Sequence, residues 1–193
     1  MKSMTAITVL SLATATATLA VLPAQAQDGT GRFYVGPTLG YTNFKGRVTE
    51  GDFGISANDD KMSPGVLAGM EFGMRQPGAM LLGVESDLQK LGFDGGDYSF
   101  GLSGRAGFAV DEKITAFAKG GYSRLLLNNN APDFDGWHAG AGLDFALNQN
   151  WLLRAEYRYT NYEKRRIVPM EAGFTTEGEF SSHQATAGLL FRF

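Results

Sequence analysis

The sequence contains no cysteine, which excludes a disulfide scaffold and any thiolate-ligated metal centre. Outside the first 26 residues there is no run of about 18 apolar residues, so no segment is suited to crossing a bilayer as a helix. Charge is sparse at 19%, yet 44% of the residues are hydrophobic, which is too much apolar material for a disordered chain. Lys and Arg number 17 against 20 Asp and Glu, so the basic excess of a general nucleic-acid binder is missing. What is plentiful is glycine, 26 of 193 residues, about twice the ordinary share, together with 12% aromatics. A length of 193 residues suits one domain.

The N-terminus predicts a cleaved export signal over residues 1–26, leaving 27–193 as the mature domain. Lys2 is followed by an apolar stretch from Ile7 to Leu22, then by Pro23 and the small-residue site Ala24-Gln25-Ala26.

Beyond it, hydrophobicity alternates with period two in eight segments, the signature of strands with two unlike faces. Phe33, Val35, Leu39 and Tyr41 oppose Tyr34, Gly36, Thr38 and Gly40. Leu82, Val84 and Leu88 oppose Gly83, Glu85 and Asp87. Trp137, Ala139, Ala141, Leu143 and Phe145 oppose His138, Gly140, Gly142 and Asp144. Trp151, Leu153, Ala155, Tyr157 and Tyr159 oppose Arg154, Glu156 and Arg158. The connections alternate as well. Tight turns at 76–79, 111–113 and 148–150 fall between longer loops near 45–62, 92–97, 126–135 and 162–179. This predicts an all-β, eight-stranded antiparallel up-and-down transmembrane barrel, with turns on the periplasmic side and loops outside.

A soluble eight-stranded barrel would share the alternation but keep its apolar face inside. Here the aromatics gather at the two ends of the apolar face. Phe33, Phe108, Phe145, Trp151, Phe191 and Phe193 lie near the turns, and Tyr41, Tyr98, Trp137 and Tyr159 near the loops. Two girdles of this kind belong to a face that meets lipid. The opposite face mixes Gly and Ser with charges of both signs, as a narrow lumen requires. Lys119 fixes the ambiguous fifth segment, because a lysine facing lipid at mid-membrane costs roughly 2–4 kcal/mol.

Folding each hairpin symmetrically about its connector opposes Glu71 to Glu85, Glu85 to Arg105, Arg105 to Lys119, Lys119 to Asp144, and Asp144 to Arg154. The expectation is a mixed-charge lumen network of these six, with Glu156 on the same face, its members paired because an isolated buried charge is costly.

The segments Gly83-Val84-Glu85-Ser86-Asp87-Leu88, Gly104-Arg105-Ala106-Gly107-Phe108, Gly120-Gly121-Tyr122, Leu153-Arg154-Ala155-Glu156-Tyr157-Arg158-Tyr159 and the closing Gly188-Leu189-Leu190-Phe191-Arg192-Phe193 resemble the small eight-stranded outer-membrane barrels, the OmpA-like transmembrane domain and the opacity-type surface antigens of Gram-negative bacteria. The resemblance implies an outer-membrane location reached through the periplasm, with a structural or surface-antigen role and a lumen filled by Glu85, Arg105, Asp144 and Arg154. It also implies that the terminal Phe193 is the signal read by the barrel-assembly machinery. Pro37 departs from a regular strand and predicts a local bulge or edge. No peptidoglycan-binding domain is read after the last strand, so no wall-anchoring role is carried over.

No cofactor, metal or nucleic acid is expected, and the barrel is expected to be monomeric. His183 and Ser182 fall on opposite faces, against a nucleophile–base pair, and His138 reads as a lumen hydrogen-bonding residue. Asp59-Asp60 and Asp94-Gly95-Gly96-Asp97 lack a full calcium ligand set. Arg158, Lys164, Arg165 and Arg166 read as a rim cluster for lipopolysaccharide phosphates. The other functional readings are a small low-conductance pore and an adhesin acting through its outer loops.

Overall fold

The computed structural model describes residues 31–50, 53–73, 76–92, 97–127, 133–167 and 176–193. Eight strands form one closed antiparallel barrel in sequence order: β1 (Gly31–Glu50), β2 (Phe53–Phe72), β3 (Met80–Lys90), β4 (Tyr98–Ala109), β5 (Ile114–Leu126), β6 (Phe134–Ala146), β7 (Trp151–Ile167) and β8 (Thr176–Arg192). Closure is made by β1 against β8, where Val35 lies opposite Phe191 and Tyr41 opposite Ala185. The backbones of Phe33 and Phe193 also exchange hydrogen bonds at 3.2 and 3.0 Å. With the ladder closed, backbone polar groups within the bilayer are paired inside the sheet, which is what allows strands to cross it.

The two faces are inverted relative to a soluble protein. Outward side chains such as Leu82, Leu102, Trp137 and Tyr157 are exposed, whereas inward Glu85, Lys119, Asp144 and Arg154 are buried. The tight turns fall as read, at one end; Asp111 closes the turn before β5 by accepting from the Lys113 and Ile114 amides, both at 2.7 Å.

Three local expectations are corrected. The loop expected over 45–62 is mostly strand, since β1 and β2 pair out to Glu50 and Phe53. The loop expected over 162–179 is likewise shortened, because β7 reaches Ile167 and β8 begins at Thr176, with a register shift between Tyr162 and Arg165. Beyond the lipid nothing enforces alternation, so the side-chain pattern lapses while the backbone ladder continues. Pro37 makes no bulge. It pairs with Val66 in register, and the β1–β8 ladder passes Gly36 and Pro37 without a shift. Its missing N–H removes one bond, and the neighbouring rungs hold the strand straight. The expected export signal at 1–26 lies outside the described residues.

Gly36 is tied to this seam. A Cβ there would run into the Leu189 carbonyl of β8, so only glycine lets the closing strands approach.

Candidate functional site: the charged barrel lumen

Strands β2 to β7 each carry charge toward the axis, and narrow curvature brings their side chains together. Arg154 is the hub. Its Nε and Nη2 donate to the two oxygens of Asp144 at 2.7 and 3.0 Å, and its Nη1 donates to Glu85 Oε1 at 2.7 Å. Arg105 bridges Asp144 and Glu71 through Nη2 and Nη1 at 2.5 and 3.2 Å. Lys119 joins Glu85 at 3.3 Å to Glu156 at 2.7 Å. All seven side chains predicted for the lumen therefore lie in one contiguous layer.

The register that assembles them differs from symmetric folding. Glu71 lies opposite Gly83 and Glu85 opposite Gly69. Glu85 meets Ser103 rather than Arg105, and Lys119 meets Gly140 rather than Asp144. Arg105–Lys119 and Asp144–Arg154 do lie directly opposite. Strand tilt and unequal connectors slide the rungs by two to four residues, but long side chains reach across the lumen and recover the contacts.

Two aromatics hold the cations in place. The Arg105 and Arg154 guanidinium carbons stand 4.3 and 4.6 Å from the Phe117 ring centroid, and 5.8 and 5.3 Å from that of Tyr34. The Tyr34 hydroxyl donates to Glu85 Oε1 at 2.5 Å. Its ring lies over Gly69, where a Cβ would come within 2.6 Å of the phenol. Sequence reasoning placed Tyr34 on the inner face without giving it a role and missed Phe117. A large aromatic at inward parity among glycines was the available signal.

Nearer the long connections lies a second layer. Arg158 Nη1 reaches both oxygens of Asp87 at 2.9 Å, and Nη2 donates to Gln184 Oε1 at 2.8 Å. The Gln184 amide continues to Thr42 at 2.7 Å and Gln89 at 2.5 Å. This corrects the reading of Arg158 as a rim contact for phosphate: it shares the inward parity of Arg154 and Glu156 and is only 4% exposed. The Lys164, Arg165 and Arg166 side chains lie outside the described residues, although their backbone belongs to β7. At the tight-turn end Arg32 lies 4.0 Å from Glu71 and Arg192 donates to the Gln149 carbonyl at 2.7 Å, so six described bases face five acids in the lumen.

His138 is buried between Ser103 and Ser123, 2.8 Å from Nε2 and 2.7 Å from Nδ1. His183 faces outward, with Nδ1 2.7 Å from the Tyr157 hydroxyl, while Ser182 is buried inside. Asp59 pairs with Lys61 at 3.2 Å and Asp60 accepts from Asn43 at 2.5 Å; the expected loop acid Asp94 lies outside the described residues. Phe193 stacks on Phe33 and Phe191, with centroids 6.1 and 6.2 Å apart.

The model of the outer membrane protein beta-barrel domain family matches residues 11–193. The 31 kDa outer-membrane immunogenic protein of Brucella melitensis is 26% identical over 199 residues, which cover 83% of this chain and 82% of the relative. The 25 kDa outer-membrane immunogenic protein of Brucella abortus is 30% identical over 173 residues, covering 83% and 78%. Among solved structures, the Neisserial surface protein A superposes with a TM-score of 0.51 at 16% identity, over 83% of this chain and 97% of that one. OprG of Pseudomonas aeruginosa gives 0.50 at 11% identity, over 86% and 97%. These two structural likenesses speak to the fold.

Proposed function

The chain belongs to the outer-membrane β-barrel family and resides in the outer membrane, and we propose that it serves there as a closed, monomeric structural barrel that displays its longer connections as surface antigens. The observation that carries this reading is the Arg154 hub, fully buried and bonded to Glu85 and Asp144 across the lumen axis. Charges paired with one another across the axis leave no free charged groups to lead an ion through. The closed ladder supports a monomer, since it leaves no sheet edge within the bilayer to pair with another chain. The immunogenic naming of the Brucella relatives supports surface display. Planar-bilayer recording on the purified barrel tests the reading: silence or rare small events are expected, and steady large channels from pure protein would sink it.

A narrower proposal concerns lipopolysaccharide. β7 carries Lys164, Arg165 and Arg166 at the register shift in its pairing with β8 and just past it, and arginine suits bidentate contact with phosphate. Replacing all three with alanine is expected to weaken co-purification with lipopolysaccharide, and unchanged association would remove the idea. Phe193, which closes the seam beside Phe33, is proposed as the mark read by the assembly machinery.

A further inference from the structure

The ladders do not all stop at one height. On the side of the long connections, β3 meets β2 only as far as Gly65 opposite Gln89, and β6 meets β7 only as far as Gly136 opposite Tyr162. On the other wall pairing continues. β1 follows β2 to Glu50 opposite Phe53 and β8 to Thr49 opposite Glu177, and β7 follows β8 to Ile167 opposite Thr176. β2, β1, β8 and β7 therefore carry a four-stranded sheet beyond the barrel. From Tyr41 in the loop-side girdle, β1 runs on to Glu50, about 30 Å at roughly 3.3 Å per residue.

This sheet has two edges, one on β2 and one on β7. The Gly92 amide still donates to the Met62 carbonyl at 2.9 Å; further out, among the described residues, no strand pairs with the second edge of β2. Unpaired edges are templates for another strand, and natural sheets blunt them with charge, proline or a bulge. The two edges differ in this respect. β7 carries Lys164, Arg165 and Arg166, whereas Phe53-Gly54-Ile55-Ser56-Ala57-Asn58 of β2 has neither charge nor proline, and its ladder to β1 runs without a shift. Laid antiparallel on its own copy about Ser56, this stretch opposes Ile55 to Ala57, Gly54 to Asn58 and Phe53 to Asp59. No like charges meet, while the same operation on β7 about Arg165 would set Lys164 against Arg166.

Membrane geometry selects the arrangement. Two barrels side by side in one membrane are related by an axis along its normal, so their tilted β2 strands would run the same way and cross steeply. A twofold axis midway between two facing membranes reverses one β2 against the other and makes them antiparallel neighbours. We propose that residues 53–58 of β2 form a homotypic docking edge, through which copies of this chain in two facing membranes join their outer sheets. The proposal goes beyond the closed-monomer reading, which concerns the bilayer, and it rests on outward display of the long connections.

The test uses the whole barrel in unilamellar phosphatidylcholine vesicles, with clustering read by light scattering. Because the chain has no cysteine, Ser56→Cys and a membrane-impermeant maleimide count the copies whose edge faces outward, in vesicles and on intact cells. Vesicles bearing the unmodified barrel are expected to cluster. Ile55→Lys with Ala57→Lys sets like charges opposite one another in every register centred within a residue of Ser56, and should slow clustering at least about tenfold. Ile55→Glu with Ala57→Glu should do the same alone. Mixing lysine vesicles with glutamate vesicles should restore clustering, which a damaged fold could not do. Heat-modifiable gel mobility certifies folding, and Ser56→Lys and Ser56→Glu replace the double variants if those fail to fold. Vesicles with outward, labelled copies that stay dispersed would overturn the docking edge. Lysine variants that cluster like the unmodified barrel would overturn it too, as would a lysine–glutamate mixture that stays dispersed, which would leave the edge to a strand of some other chain. A Ser56→Cys thiol that stays unlabelled on intact cells would instead defeat the surface-display reading.

Discussion

Two sets of ion pairs in this barrel have nearly the same lengths and very different surroundings. In the lumen, Arg154–Glu85 and Lys119–Glu156 both span 2.7 Å, with side chains 0–5% exposed. In the outer parts of the strands, Arg124–Asp133 spans 2.9 Å with side chains 48% and 34% exposed, and Lys61–Asp59 spans 3.2 Å with 34% and 63%. Distance therefore says little about what each pair does. Inside, Glu71, Glu85 and Asp144 each answer to more than one base, and removing a shared partner strands a buried charge. At the rim, water replaces a lost partner at once.

The comparison is broken most severely at the hub. Arg154→Ala leaves Glu85 and Asp144 short of their main partner and is expected to cost about 3–5 kcal/mol, read from urea unfolding in lipid vesicles. Arg154→Lys keeps the charge but loses the fork that bonds both acids together, so it should fall between wild type and alanine. A loss at Arg154→Ala no larger than that of a rim variant would mean that the lumen is as wet as the surface. Gly69→Ala comes next. Its methyl group would displace the Tyr34 ring that braces Glu85, at a cost of about 1–3 kcal/mol. Tyr34→Phe in the same background checks the route, because losing the hydroxyl should add little once the ring has already moved.

The upper layer is intermediate. Arg158 reaches both oxygens of Asp87 through Nη1 alone, while its Nη2 is held by the Gln184 amide. A double-mutant cycle on Arg158→Gln and Asp87→Asn is expected to give a coupling of about 0.5–3 kcal/mol, in the usual range for residues in contact. The joint variant should be milder than either single one, since no lone charge remains. Coupling near zero would place this layer with the rim.

Much of this contrast was legible in the sequence. Period-two alternation separates the faces in seven segments, Lys119 settles the fifth, and the paired aromatic girdles tell which face meets lipid. Parity then sends Glu85, Lys119, Asp144 and Arg154 inward whatever the register. Register was legible only in part: Arg105–Lys119 and Asp144–Arg154 lie opposite as symmetric folding expects, but Glu85 meets Ser103, because stagger around the barrel is a global property that no single hairpin encodes. Height along a strand misled where parity would have served: Arg158 was judged by its nearness to Lys164, while its spacing from Arg154 and Glu156 puts it inside. Asp87 was likewise on the inner face without being given a partner, since its arginine comes from β7, across the barrel. The outer ends of β1 and β2 were hidden for a different reason. Their pairing is carried by backbone groups, which every residue but proline has, so composition carries no trace of it.

The smallest effect is expected at the rim. Arg124 is half exposed and shared between Asp133 at 2.9 Å and Asp135 at 3.8 Å. Arg124→Ala should cost about 0.2–1 kcal/mol in low salt, as exposed pairs do. Raising the salt to about 1 M shortens the screening length to roughly 3 Å, so the difference from wild type should shrink toward zero. The penalty at Arg154 should survive the same change, because bulk salt screens a fully buried pair far less than an exposed one. Unfolding both variants at low and high salt therefore measures burial directly. A salt-insensitive Arg124 penalty would show that its stem packing, not its charge, holds the rim, whereas a salt-sensitive Arg154 penalty would open the lumen to solvent.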